Sequence, residues 1–473
     1  MHSARPARTR LTLSMAIHSN GLRVPTLAGD PVVGSLRQIR RDYLGTISRA
    51  ARDVGGLARI VAGPPGWRVV LYSVSSPELA AEILGQPDRY RKHAPGYREL
   101  RQALGDNLLT SQDAVWHRQR RFLASMFTRR RILTSYAPVM VEEAERLVGR
   151  WRTAAATGGA LDAYPEMIEV ASRISGRILF GADMTMAFDV LKRFRRINDQ
   201  LLRRAVSPHP LPTWLPTPAN RRLNSGLSAV RGIVDNLIEE RRVKALPATD
   251  DMLGLLLAAR DAEDSSDRLT DSEVADQAML FLLAGHDTTA VTLACTLFQL
   301  ALSPEWQEVL HDEIDTSIGS RTPSAADVDQ LPWTGRTIRE AMRLYPAAHG
   351  MARSTHTDEV LDGYRIPAGS WVEVSPWGVH HSPAVWQNPD RFDPRRFDVQ
   401  PGQFPGGHRY AWFPFGAGPR ACIGMQIALL EVQIVIASIL QAFTITTPLA
   451  ATPVHAAITL VPAGALPVQL RDR

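Results

Sequence analysis

The chain has 473 residues, of which 45% are hydrophobic and 22% charged, a balance that suits a soluble globular protein and excludes a disordered or low-complexity one. Two cysteines, Cys295 and Cys422, exclude a disulfide framework in practice and point to a reducing, cytoplasmic setting. The net charge of +6 is modest, and no segment reads as a membrane span: the apolar stretch 11–17, behind Arg5, Arg8 and Arg10, is too short and too polar.

Residues 1–25 read as unstructured, with Met15 a second candidate start, and 26–473 as one unit without a linker or internal repeat. Residues 26–36 form an extended strap. A helix over 41–54 precedes two short strands, 57–61 and 67–72, joined by Gly63-Pro64-Pro65-Gly66. Ser75-Ser76-Pro77 starts a helix to about residue 84, and 87–112 reads as a long functional loop. From 113 to 246 the pattern is mostly helical. Five prolines interrupt it at 207–218, a stiff strap that would act as a lid with Trp214 and Leu215 as apolar cover. A helix over 249–262 has Thr249 as its N-cap.

One basic cluster stands out between His117 and Arg131: Arg118, Arg120, Arg121, Arg129, Arg130 and Arg131, with no acid among them. Nucleic acid is one reading of such a run and an acidic protein partner another; we expect the protein and no nucleic acid.

Thr270-Asp271-Ser272-Glu273 is a capping box that opens an apolar helix of about thirty residues, roughly 45 Å long. Its length raises the prospect of a membrane span. The ionisable residues in its middle, in Ala284-Gly285-His286-Asp287-Thr288-Thr289, argue instead for a helix through a protein core. Leu280, Leu283, Ala284, Asp287, Thr288 and Val291 share one face, where two small residues leave a notch beside an acid and a hydroxyl. His286 lies off that face and reads as structural. Downstream, Glu340-x-x-Arg343 sets an acid and a base on one helical face.

Near the C-terminus, 412–431 runs from a Gly/Pro turn into an apolar helix over about 423–443, with Cys422 at the junction. Free helix amides lower a thiol's pKa there, and a thiolate beneath Phe415 and close to Arg420 suits a metal ligand. The remaining sequence ends in strands over 456–470, turning at Pro462-Ala463-Gly464.

Phe415-x-x-Gly418-x-Arg420-x-Cys422-x-Gly424 resembles the haem-ligand loop of the cytochromes P-450, and 284–289 resembles their oxygen-activation segment. The resemblance covers about residues 26–470 and implies a mainly α fold with minor β, its long central helix lying over haem b. It implies Cys422 as axial thiolate and metal ligand, with Phe415, Gly424 and Ala284 against the cofactor. Trp116, Arg120, Arg353 and Arg420 would serve the propionates, and Glu340, Arg343 and Arg396 would form a buried structural triad. Thr288 would hold an ordered water beside the dioxygen site, and Asp287 would relay protons.

The activity implied is monooxygenation, hydroxylation or epoxidation of a lipophilic small molecule by O2, with electrons from a separate ferredoxin or flavodoxin. Candidate walls are Tyr97, Leu104, Leu108 and Leu109, the central helix at 280–284, residues 347–351 and residues 456–458. His349 is the polar exception, read as a satisfied loop histidine. The competing class is a haem-thiolate peroxygenase, isomerase or ligand sensor, which the Asp287-Thr288 pair disfavours.

Overall fold

The central helix forms as its sequence dictates, over Asp271–Ala301, with both halves of the Thr270/Glu273 capping box in place. Its neighbours bury it on almost every side, which is why it is apolar nearly all round rather than along one stripe. The computed structural model describes residues 22–156, 158–181, 200–201, 203–204, 211–243, 251–259 and 267–473. Around the central helix lie Ala137–Ala156, Ala163–Phe180, Pro332–Leu344 and the cysteine helix Met425–Ala442. Side chains from Leu44 to Val468 contribute to this main core. The central and cysteine helices are long and apolar enough to cross a membrane by composition, but most of each is buried inside the fold.

Beside the helices lies a five-stranded sheet made of β1 (Leu57–Ala62), β2 (Val69–Val74), β3 (Tyr90–Arg91), β4 (Met351–Thr355) and β5 (Trp371–Val374). Its order is β1-β2-β5-β4-β3, antiparallel except where β2 runs parallel to β5. Alternation along β5 sends Val372 and Val374 into the core of one face, so Trp371 and Glu373 share the other. The fold is mainly α with minor β, as the sequence implies.

Buried under this frame, Arg343 donates to Glu340 through Nε at 2.7 Å and Nη2 at 2.8 Å, and Arg396 Nε adds a third bond at 3.2 Å. The Asp393 amide also donates to Glu340, so this buried carboxylate is paired on several sides. Removing one arginine would strand charge in the core, at a cost of ~3–5 kcal/mol.

Several boundaries differ from the sequence reading. Leu22 bridges Tyr364, and the Arg59 amide donates to the Pro25 carbonyl, so the extended strap begins before residue 26. The second strand starts at Val69, because 64–67 close a turn through Trp67 N–H to Pro64 O. The expected loop 87–112 contains the helix Pro95–Leu104, started by Pro95 at its first position. Thr249 lies outside the described residues; Met252–Ala258 is capped by Asp251, whose carboxylate accepts from the Gly254 amide.

At the C-terminus the hairpin closes at 457–459, between Val454–Ala456 and Leu460–Pro462, rather than at 462–464. Strand Pro467–Asp472 instead joins a separate sheet. The expected lid at 207–218 is described only from residue 211. There Arg204 and Asn220 hold the carbonyls of Leu211, Pro212 and Leu215, while Trp214 is 78% exposed. Neither Trp214 nor Leu215 lines the central cavity.

Candidate active site

A cavity of about 560 Å³ lies between the central helix and the cysteine loop. The loop's shape comes first from Gly418: its φ is +68°, and a Cβ there would stand 2.2 Å from the Leu84 carbonyl oxygen. The turn then brings the Cys422 amide to the Phe415 carbonyl at 2.9 Å. Its thiol faces the cavity, one turn ahead of the helix Met425–Ala442.

Burial pushes the Cys422 thiol up, contrary to the lowering expected from the helix end alone. The amides of Gly424 and Met425 and the Arg120 guanidinium act the other way. Arg120, rather than Arg420, is thus the cation acting on the sulfur. Arg420 instead stacks over Trp116 at 4.1 Å and donates to the Ser111 carbonyl at 2.9 Å.

Trp116 and Arg120 lie one turn apart on the helix Asp113–Ala124, and both border the cavity with Arg353 and Arg420. Sequence reasoning missed a fourth cation there: buried Lys92, whose Nζ donates to the Leu109 carbonyl at 2.9 Å. Arg353 donates to its neighbour's carbonyl and to Tyr97 Oη. Burial pulls Lys92 well below its usual range and Arg420 to about 10, each further depressed by a neighbouring arginine. Cations crowded into a cavity at such cost suit a ligand carrying two negative charges. No group of three or more His, Cys, Asp or Glu suited to a metal ion occurs among the described residues. An ion on Cys422 would therefore take its other ligands from a cofactor.

Across the cavity, Ala284, Gly285, Asp287 and Thr288 form the notched face of the central helix, while Val291 turns into the core. Thr288 Oγ1 donates to the Ala284 carbonyl at 2.8 Å, which commits its proton and leaves the oxygen to accept from the cavity. Asp287 is held more tightly than the sequence suggests. Tyr164 Oη donates to Oδ1 at 3.2 Å, and Thr459 Oγ1 donates to Oδ2. Neither partner is local in sequence, so no pattern around Asp287 signals them. Buried His286 bonds the Leu282 carbonyl through Nδ1 and stays off the cavity.

The expected walls converge. Tyr97, Leu104, Leu108, Leu109, Leu280 and Leu283 all border the space, as do residues 347–351. Of the C-terminal hairpin, Ala457 and Ile458 reach it and Ala456 does not. Phe127 and Phe281, in edge contact at 5.6 Å, are further wall residues that the sequence reading did not name.

A thiol at the start of a long helix, a notched helix opposite and a ring of cations define a class of protein that comparison identifies. The Cytochrome P450 family profile matches residues 25–461. The chain belongs to the cytochrome P450 family and is an oxidoreductase of the P450 monooxygenase class. It is 34% identical to pentalenene oxygenase of Streptomyces avermitilis over 88% of this chain and 90% of that one. It is also 33% identical to cyclooctatin synthase of Streptomyces melanosporofaciens, covering 81% of this chain and 82% of that protein. Cyclooctat-9-en-7-ol 5-monooxygenase of the same organism is 32% identical, over 81% of each. Among solved structures, the cytochrome P450DA heme domain superposes with a TM-score of 0.84 at 28% identity, covering 96% of this chain and 98% of that one. Membership implies a haem cofactor, and the cavity-facing thiol and the cations bordering the cavity fit one.

Proposed function

We propose that the protein is a haem b monooxygenase that inserts one atom of O2 into a lipophilic small molecule, by hydroxylation or epoxidation. The observation that carries this reading is the Cys422 thiol, facing the notched helix across a cavity bordered by Lys92, Arg120, Arg353 and Arg420. When bound, the haem supplies thiolate-supported activation of dioxygen. Cys422 would hold the iron, with the Gly424 and Met425 amides moderating the sulfur's electron donation. Trp116, Arg120, Arg353, Arg420 and Lys92 would take the propionates, and Phe415 and Ala284 would border the macrocycle.

Thr288, its proton directed to Ala284, would act as an acceptor that holds a water in the notch. Asp287 would pass protons inward, its link outward running through Tyr164 and Thr459 rather than directly to solvent. The apolar walls fit any lipophile, and the terpene-oxidising relatives favour a terpene over a fatty acyl chain or polyketide. Electrons would come from a separate ferredoxin or flavodoxin in the cytoplasm.

Turnover of a terpene panel with ferredoxin, its reductase and NAD(P)H under ¹⁸O2 tests this reading. We expect product carrying one ¹⁸O atom. Product formed only with peroxide, or without label, would favour a peroxygenase.

A further inference from the structure

The C-terminal hairpin closes at 457–459, and all three residues of its tip border the cavity. The turn is tight: the Ala457 amide donates to the Thr459 carbonyl at 2.9 Å. Its base is fastened to the wall segment 347–349. There the Leu460 amide donates to the Ala347 carbonyl at 2.8 Å, and His349 Nε2 lies 2.9 Å from the Ala457 carbonyl. The tip and its fastenings are thus both cavity wall, and whatever fills the cavity bears on them.

Ile458 and Thr459 are neighbours with different tasks. Ile458 adds apolar wall, while Thr459 Oγ1 donates to Asp287 Oδ2. The other carboxylate oxygen, Oδ1, accepts from Tyr164 Oη at 3.2 Å. Each oxygen of Asp287 therefore has a hydroxyl donor, and the two bonds together fix how the carboxylate is turned.

The two donors differ in how firmly they are placed. Tyr164 is buried in the first turn of the helix Ala163–Phe180, which packs along the central helix. Thr459 stands on a three-residue turn between two strands of three residues each. A displacement of the tip moves Thr459 and leaves Tyr164 in place. Hydrogen bonds weaken steeply as donor and acceptor fall out of line, and about 1 Å of misplacement at a reacting group can cost ~100-fold in rate.

Resting on the monooxygenase reading above, we propose that Thr459 is a positioning residue through which the substrate wall governs proton delivery: the hairpin tip holds Asp287 turned for its relay only while it stays seated. A substrate that fits against Ile458 leaves the tip seated and is oxidised with little waste of NAD(P)H. One that displaces the tip sends electrons to hydrogen peroxide instead, although the relay residues are the same. Discrimination between lipophiles then rests on coupling as well as on affinity.

The probes are the terpene hydrocarbons limonene and cedrane, supplied to the holoenzyme with ferredoxin, its reductase and NAD(P)H under ¹⁸O2. Labelled product and hydrogen peroxide are measured per NAD(P)H, and affinity by Soret shift. Thr459→Val keeps the side chain's shape without its hydroxyl. It should lower product per NAD(P)H ~threefold and raise peroxide, the scale of one modest hydrogen bond, while affinity changes less than ~twofold. Thr459→Ser, which keeps the hydroxyl, should couple as the wild type does. Ile458→Gly, which loosens the tip, should weaken probe affinity in either background but lower coupling only where Thr459 is present. Wild-type coupling in Thr459→Val, a fall also seen in Thr459→Ser, or an Ile458→Gly loss of coupling equal in both backgrounds overturns the proposal. Wild type that forms no labelled product from either probe removes the terpene-monooxygenase reading and this role with it. Labelled product from the wild type with indifferent Thr459 variants removes the role alone.

Discussion

At the scale of single residues, Thr288 and Glu373 illustrate opposite degrees of legibility. Thr288 follows an acid within a small-residue notch on a helix whose phase is plain, so its place on the cavity could be read directly. Glu373 sits in Trp-Val-Glu-Val, an alternation that says only which residues share a face. Its partner Tyr43 is 330 positions away, and nothing local announces it. With its hydroxyl removed, Thr288→Ala should lose control of protons at the oxygen site. Product formed per NAD(P)H consumed should fall severalfold and hydrogen peroxide rise, with substrate affinity little changed; full coupling in the variant would assign proton control to another group.

For Glu373 the expectation concerns pH and stability. Its folded pKa of about 7 stands above the ordinary value of 4.5, so the folded state holds the proton more tightly than the unfolded chain. Stability from this group is therefore present below pH 4.5 and declines as pH rises toward 7, by roughly 3 kcal/mol in total. Glu373→Gln removes that slope. Thermal melts of both proteins from pH 5 to 8 should show the variant gaining steadily on the wild type as pH rises. A constant difference would place the carboxylate in a far more polar setting.

At the scale of elements, charge runs proved harder to read than helices. The run from Arg118 to Arg131 is free of acids in sequence, yet Arg118 is occupied by Asp267 and Glu273, the latter at the start of the central helix. Arg120 turns inward to the sulfur. Arg129 is 84% exposed and only 3.9 Å from the equally open Asp329, a pairing worth little in water. The same segment touches the cysteine loop, where the Phe127 ring lies 3.9 Å from the Cβ position of Gly424.

An acidic donor protein docking there would be steered by Arg129 and Arg130. Reversing both to Glu should cut ferredoxin-supported turnover strongly at low ionic strength, and the loss should shrink as salt screens the encounter. Substrate binding should persist. Unchanged rates and salt dependence would place the donor on another face. Helices, by contrast, announced themselves where caps and apolar phase agreed, as at Thr270 and Glu273. Pro95–Leu104 carried its own signals, a proline at the first position, Tyr97, Leu100 and Leu104 on one face, and Gly105 after the end. The absence of a longer apolar run hid them.

At the scale of the molecule, the fold brings together segments that are far apart in the chain: the helix at Trp116, the centre of the long helix, the strand at Arg353 and the loop at Cys422. The motif loop and the notch were legible because each is local. The cations' shared cavity and the anchoring of Asp287 by Tyr164 and Thr459 were not, since they depend on how distant elements pack. These parts meet at Cys422, and its proposed ligation of the haem iron can be measured. Reduced wild-type protein under carbon monoxide should show the red-shifted Soret band of a thiolate-bound haem, and Cys422→Ser should keep its helical content yet lose that band. An unchanged band in the serine variant would contradict the account.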